Sequence, residues 1–161
     1  MNHIIEILKS KQWIGGLKTL QPFASWIVSG KKTIDIRTYD TKTREVIGIL
    51  ASGTHPYFID LQSVKEMVHF ALIGFVRIET TKKYRTKTEF DREYAKHCNP
   101  SAFWDDEEEY YGWILSHPII IQPIFYTHKQ NEGKDTIPLS GNYARVRILT
   151  EEILDRIEVI E

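Results

Sequence analysis

Apolar residues recur along this chain in short runs of two kinds. Some repeat at every second position, as a half-buried strand requires, and others at every third or fourth, as one face of a helix requires. Residues 17–20 alternate after the Gly15-Gly16 pair, which predicts a short strand beginning just past a turn. Pro22 suits a first helical turn, Phe23, Trp26 and Ile27 follow at helical spacing, and Gly30 suits the stop, so residues 22–29 read as a short helix. Residues 32–38 alternate again. As a strand they send Ile34 and Ile36 to one face and Thr33, Asp35 and Arg37 to the other.

The apolar run over residues 45–51 has strand length and little alternation, the pattern of a central strand covered on both sides. Leu61, Val64 and Val68 predict a helix over residues 60–70 with Asp60 as its N-cap. A strand over residues 71–79 runs into a basic hairpin at residues 82–87, and Phe90 and Tyr94 space a helix over 88–97. Residues 110–115 and 119–121 read as two strands divided by His117-Pro118, with Pro123 confining the second to a terminus or an edge. A polar loop over residues 131–142, a strand over 143–149 and a terminal helix from about Glu151 complete the pattern. Many short strands with few long helices predict an α+β fold built on a small mixed β-barrel with short flanking helices. At 161 residues, with no repeat or linker, the chain reads as one domain over residues 1–161.

Composition narrows the setting. Cys98 is the only cysteine, so no intrachain disulfide exists and a reducing, cytoplasmic compartment is the expectation. Residues 1–11 lack the charge and apolar order of a secretion signal, and no run approaches the roughly 18 apolar residues of a membrane span. Net charge is −1, too low for a protein that is basic all over. The charges are segregated, however: residues 1–50 carry +4 and residues 98–161 carry −7. That permits one positive face, from Lys31, Lys32, Arg37, Lys42 and Arg44 with Lys82, Lys83, Arg85 and Lys87.

The stretch Leu20-Gln21-Pro22-Phe23-Ala24-Ser25-Trp26-Ile27-Val28-Ser29-Gly30-Lys31-Lys32-Thr33-Ile34-Asp35-Ile36-Arg37 resembles the signature of the ASCH family, a short helix ending in Gly-x-Lys-x-x-Glu-x-Arg. Gly30, Lys32 and Arg37 match it, and Asp35 stands where Glu is usual. The strand Arg44-Glu45-Val46-Ile47-Gly48-Ile49-Leu50-Ala51-Ser52 and the segment Tyr111-Gly112-Trp113-Ile114-Leu115-Ser116-His117-Pro118 are similar to later parts of that family, which extends the likeness over about residues 17–150. The resemblance implies a PUA-like barrel and a cleft where Lys32, Asp35 and Arg37 converge. It implies a ligand that is RNA or nucleotide-like.

Ligand contacts are accordingly expected from Lys32, Asp35, Arg37, Ser52 and Trp113, with Arg37 steadied by Asp35 while its planar fork meets a phosphate or base edge, and with Lys32 as a mobile point charge. Trp26, Trp104, Tyr111 and Tyr143 are further stacking candidates, Trp104 being the one expected at the surface. If the cleft is catalytic, as a nuclease or nucleoside amidohydrolase, the candidates are Lys32, Asp35 and Glu79. Amidohydrolases of the family carry Thr at the acidic position, whereas here Thr33 lies two residues too early. A third class is a protein-interaction domain acting through the acidic run 105–109. The six histidines never pair at metal-ligand spacing and no phosphate-binding glycine loop occurs, so neither metal nor cofactor is expected.

Overall fold

A computed structural model of the protein describes residues 2–141 and 144–161. Seven strands form one sheet: β1 (Trp13–Gln21), β2 (Ile34–Arg37), β3 (Val46–Thr54), β4 (Ala71–Tyr84), β5 (Tyr110–Phe125), β6 (Arg145–Leu149) and β7 (Val159–Ile160). Their order is β2-β5-β4-β3-β1-β6, with β7 added to β5. Only β1 and β3 run parallel; every other pairing is antiparallel. Register shifts in β3, β4 and β5 add twist and curl the sheet into a half-barrel. This is the α+β architecture that the alternating pattern predicts.

Both faces of the sheet are covered, which is why β3 is apolar from Val46 to Ala51. On the concave face Leu17, Ile47, Ile49, Val76 and Trp113 pack beneath helix α2 (Phe23–Val28), which contributes Ala24, Ile27 and Val28. On the other, Ile14, Leu50, Leu72 and Ile148 pack beneath Ile4 and Leu8 of helix α1 (Asn2–Lys9). Ile4 and Leu8 lie four residues apart, the spacing that puts both on one face of a helix. Among the described residues no helix is long and apolar enough to cross a membrane.

Four expectations are corrected. Gly15 and Gly16 lie inside β1 rather than before it, because a Cβ on Gly16 would come within 2.9–3.1 Å of Leu50, Ile148 and Val146. The helix over residues 60–70 shrinks to α3 (Gln62–Lys65), with Leu61 at its N-cap instead of Asp60. Residues 88–97 form two helices, α4 (Lys87–Arg92), capped by Thr86 Oγ1 accepting from Glu89 N–H, and α5 (Tyr94–His97), ended by Cys98 at φ 60°. The two strands around His117-Pro118 are one, β5. Pro118 is tolerated because it falls in a bulge between the Arg77–Ser116 and Phe75–Ile119 pairs, so its missing N–H breaks no ladder bond.

The C-terminus also differs from a continuous helix. Helix α6 (Thr150–Ile153) lasts one turn, and the tail then returns to the sheet as β7. Tyr143, expected in the last long strand, lies outside the described residues; that strand, β6, begins at Arg145.

Candidate functional site

Near the end of β1 the chain turns into α2, and the tight Gly30 stop (φ 85°) then delivers β2 alongside. This brings Thr19, Phe23, Lys32, Asp35 and Arg37 around a cavity of about 190 Å³, closed on its far side by His55 and Asn99. The volume lies below the roughly 300–1,000 Å³ of sites for drug-sized ligands. It suits one phosphate or one heterocycle, or the end of something longer.

The Arg37–Asp35 pairing follows from strand geometry, since residues two apart share a face. Arg37 Nε donates to Asp35 Oδ2 at 2.6 Å, and Nη2 donates to Thr19 Oγ1 at 3.2 Å. Nη2 also reaches Lys18 O at 3.5 Å, the Tyr39 side chain lies against the guanidinium, and 16% of the Arg37 side chain remains exposed. Desolvation alone would lower the proton affinity of Arg37. The adjacent Asp35 carboxylate more than offsets this and holds the guanidinium above its ordinary range. Asp35 thereby fixes the Nε side of the fork, and the exposed remainder of the guanidinium faces the cavity.

Lys32 is not the mobile charge its position after a glycine stop suggests. It is 1% exposed, and its ammonium donates to His97 O and, at 2.6 Å, to Asn99 Oδ1, while lying 4.6 Å from the centre of the Phe23 ring. Burial pushes its pKa down to about 8, against the pull of Asp35. His97 in turn is fixed through both ring nitrogens: Nε2 bonds Phe90 O at 2.6 Å and Nδ1 accepts from Asn99 N–H at 2.9 Å. That arrangement requires a neutral ring carrying its proton on Nε2, and burial lowers the His97 pKa accordingly. The Lys32 socket thus spans residues about 65 positions apart, and no spacing in the sequence signals it.

The other candidates do not converge here. Ser52 sits on β3, where its carbonyl accepts from His69 Nδ1 at 2.8 Å, and it does not line the cavity. Trp113 is fully buried, its Nε1 donating to Tyr39 O at 3.1 Å, so it supports the floor of the half-barrel rather than offering a stacking face. Glu79 lies away from the cavity, bonded by Ser116 Oγ and 3.5 Å from Arg77, and these partners lower its pKa. Trp26 is partly buried against Phe23 and Phe58, and Tyr111 is half-buried. Trp104 is packed on Tyr110 at 4.8 Å rather than standing free, and Tyr143 lies outside the described residues. Residues 82–87 are not a hairpin but the end of β4 running into α4, and half of their basic charge is paired, Lys82 with Glu93 and Lys83 with Glu109 at 2.9 Å, while Arg85 and Lys87 form no ion pair among the described residues. Among the described residues no group of three or more His, Cys, Asp or Glu side chains gathers at a metal-binding distance.

The family profile of the ASCH domain matches residues 17–125. Among solved structures, the ASCH protein from Zymomonas mobilis superposes with a TM-score of 0.63 at 18% identity, covering 91% of this chain and 97% of that one. Two single-substitution variants of that protein give 0.52 at 22% identity, each over 69% of this chain and over 74% and 72% of their own. At such identities the likeness concerns the fold, which is PUA-like. No curated protein matches significantly.

Proposed function

The chain belongs to the ASCH domain family, and from that premise we propose that it is a binding module for RNA or a nucleotide, seating an anionic, planar group in the Lys32–Arg37 cleft. The observation that carries this reading is the convergence of two cations on one small cavity that holds a single carboxylate. Asp35 compensates one positive charge, which leaves the cavity cationic, and the Arg37 edge not engaged by Asp35 or Thr19 can meet a phosphate or the acceptor edge of a base.

Arg37→Lys tests the reading better than Arg37→Ala, because it keeps a cation beside the buried Asp35 and removes only the fork. Fluorescence anisotropy with a labelled single-stranded RNA should show roughly tenfold weaker binding by Arg37→Lys at an unchanged melting temperature. Wild-type affinity in that variant, or no binding of RNA and nucleotides by the native chain at low salt, would refute the proposal.

A catalytic reading keeps one specific support: the Lys32 pKa near 8, with His55, whose own pKa is lowered by burial, lining the same cavity. It is the weaker of the two, since Asp35 is engaged by Arg37 and Glu79 lies elsewhere. RNA cleavage or hydrolysis of acylated nucleosides that disappears in Lys32→Met would favour it, and no turnover across neutral pH removes it.

A further inference from the structure

The antiparallel pairing of β1 with β6 sets Leu17 opposite Arg145 and Gly15 opposite Arg147, with Trp13 two residues further along the same face. Thr19, two residues beyond Leu17 in the other direction, holds Arg37. Four groups therefore follow one another on one face of the sheet: the indole of Trp13, then the guanidinium groups of Arg147, Arg145 and Arg37. From Trp13 to Thr19 the row extends about 20 Å, in steps of about 6.6 Å set by the two-residue repeat of a strand.

Its far end is a built recess, not a scatter of surface charges. Trp13, Gly15, Arg145, Arg147, Ser140 and Gly141 line a cavity of about 360 Å³. Trp13 is 39% exposed, with the Arg147 guanidinium 4.1 Å from its ring centre. Arg145 is held over the Trp113 ring at 5.6 Å and reaches Thr41 and Thr43 at 3.4 and 3.3 Å. Gly15 leaves the floor open between the two arginines. Neither Arg145 nor Arg147 comes within 4.0 Å of a carboxylate among the described residues, in contrast to Lys82, Lys83 and Arg37.

Resting on the RNA-binding reading above, we infer that this row is a track for single-stranded RNA, with a base stacked on Trp13 and Arg147 and the following phosphates on Arg145 and Arg37. A row of this length suits about four nucleotides, the low end of the footprint of a small β-barrel. The Lys32–Arg37 cavity then takes one end of the strand. Stacking on the exposed Trp13 indole needs an unpaired base, which favours a single strand over a duplex whose bases are already stacked on one another.

The test is fluorescence anisotropy with a labelled RNA octamer, its duplex and a labelled mononucleotide, for the native chain, Trp13→Leu, Arg147→Ala and Arg37→Lys. Trp13→Leu and Arg147→Ala should each weaken octamer binding about tenfold and leave mononucleotide binding intact, while Arg37→Lys weakens both. Arg147→Ala should also flatten the salt dependence by about 0.7 in the log–log slope, the share of one phosphate contact on a single strand. If only Arg37→Lys weakens octamer binding, or if the duplex binds as tightly as the single strand, the track is wrong while the cleft reading survives. If the native chain binds the mononucleotide but no RNA, the track falls and the cleft reading stands; if it binds neither, both fall. Thermal melts show whether Trp13→Leu folds, and Trp13→Phe, which keeps an aromatic face, should restore most of the affinity.

Discussion

A lysine ammonium with 1% of its residue surface exposed has to be solvated by the protein itself, and Lys32 obtains that solvation from His97 O, Asn99 Oδ1 and the Phe23 ring. The compensation is incomplete, as the lowered pKa states. Between the folded value near 8 and the ordinary 10.5, the unfolded chain binds the proton and the folded chain releases it, so stability must rise with pH across that interval. The slope from this group is at most about 1.4 kcal/mol per pH unit. Tyr84 and Tyr126 act in the opposite sense above their ordinary value of 10.0, because burial raises both, so the window for Lys32 is about pH 8 to 10. Urea unfolding should show the native chain gaining stability over Lys32→Met through that window. A constant or shrinking difference would mean that Lys32 is more hydrated than its burial indicates. Ligand affinity should move the other way, falling as pH rises through about 8 and the ammonium is lost.

At the scale of elements, the curl of the sheet depends on close approach between β4, β5 and α2. Gly74 is where this approach is tightest: a Cβ there would overlap the carbonyl oxygen of Ile119 and lie 2.7 Å from Val28 Cγ1. The first contact is backbone, which cannot rotate away. Gly74→Ala is expected to cost about 3 kcal/mol in denaturant unfolding, the upper end for overpacking a core. Gly133 has nothing within 4 Å and a φ of 85°, so Gly133→Ala should cost only the roughly 1 kcal/mol of a left-handed backbone. Equal losses at the two sites would contradict the packing described for Gly74. His117-Pro118 reads as a break in sequence yet lies within one strand, opposite the register shift between Phe75 and Arg77. A bulge absorbs the residues that cannot pair, and periodicity alone does not distinguish a bulge from a turn.

For the whole molecule, the segregation of charge visible along the chain is partly undone by folding. The acidic run 105–109 returns against the basic end of β4, where Glu109 meets Lys83, while Arg145 and Arg147 have no carboxylate partner among the described residues although they lie in the acidic segment 98–161. A tally by segment therefore does not tell which cations keep a carboxylate partner after folding. Glu109→Gln should release Lys83 and make RNA binding more salt-sensitive without changing the melting temperature, as an ion pair between such exposed groups adds little to stability. An unchanged salt slope would place Lys83 outside the reach of the bound strand.

The α+β class, the short helix running into the β2 motif and the Asp35–Arg37 pair were all legible in the sequence, because each depends on residues a few positions apart and on the fixed periods of helix and strand. Tertiary structure alone decided that Lys32 is caged rather than mobile, that Trp113 and Ser52 stay out of the cleft, and that Trp13 joins two arginines more than 130 positions later in the chain. Burial and long-range pairing are properties of the closed sheet, set by register and bulges, and no local pattern of residues encodes which distant side chain will lie opposite.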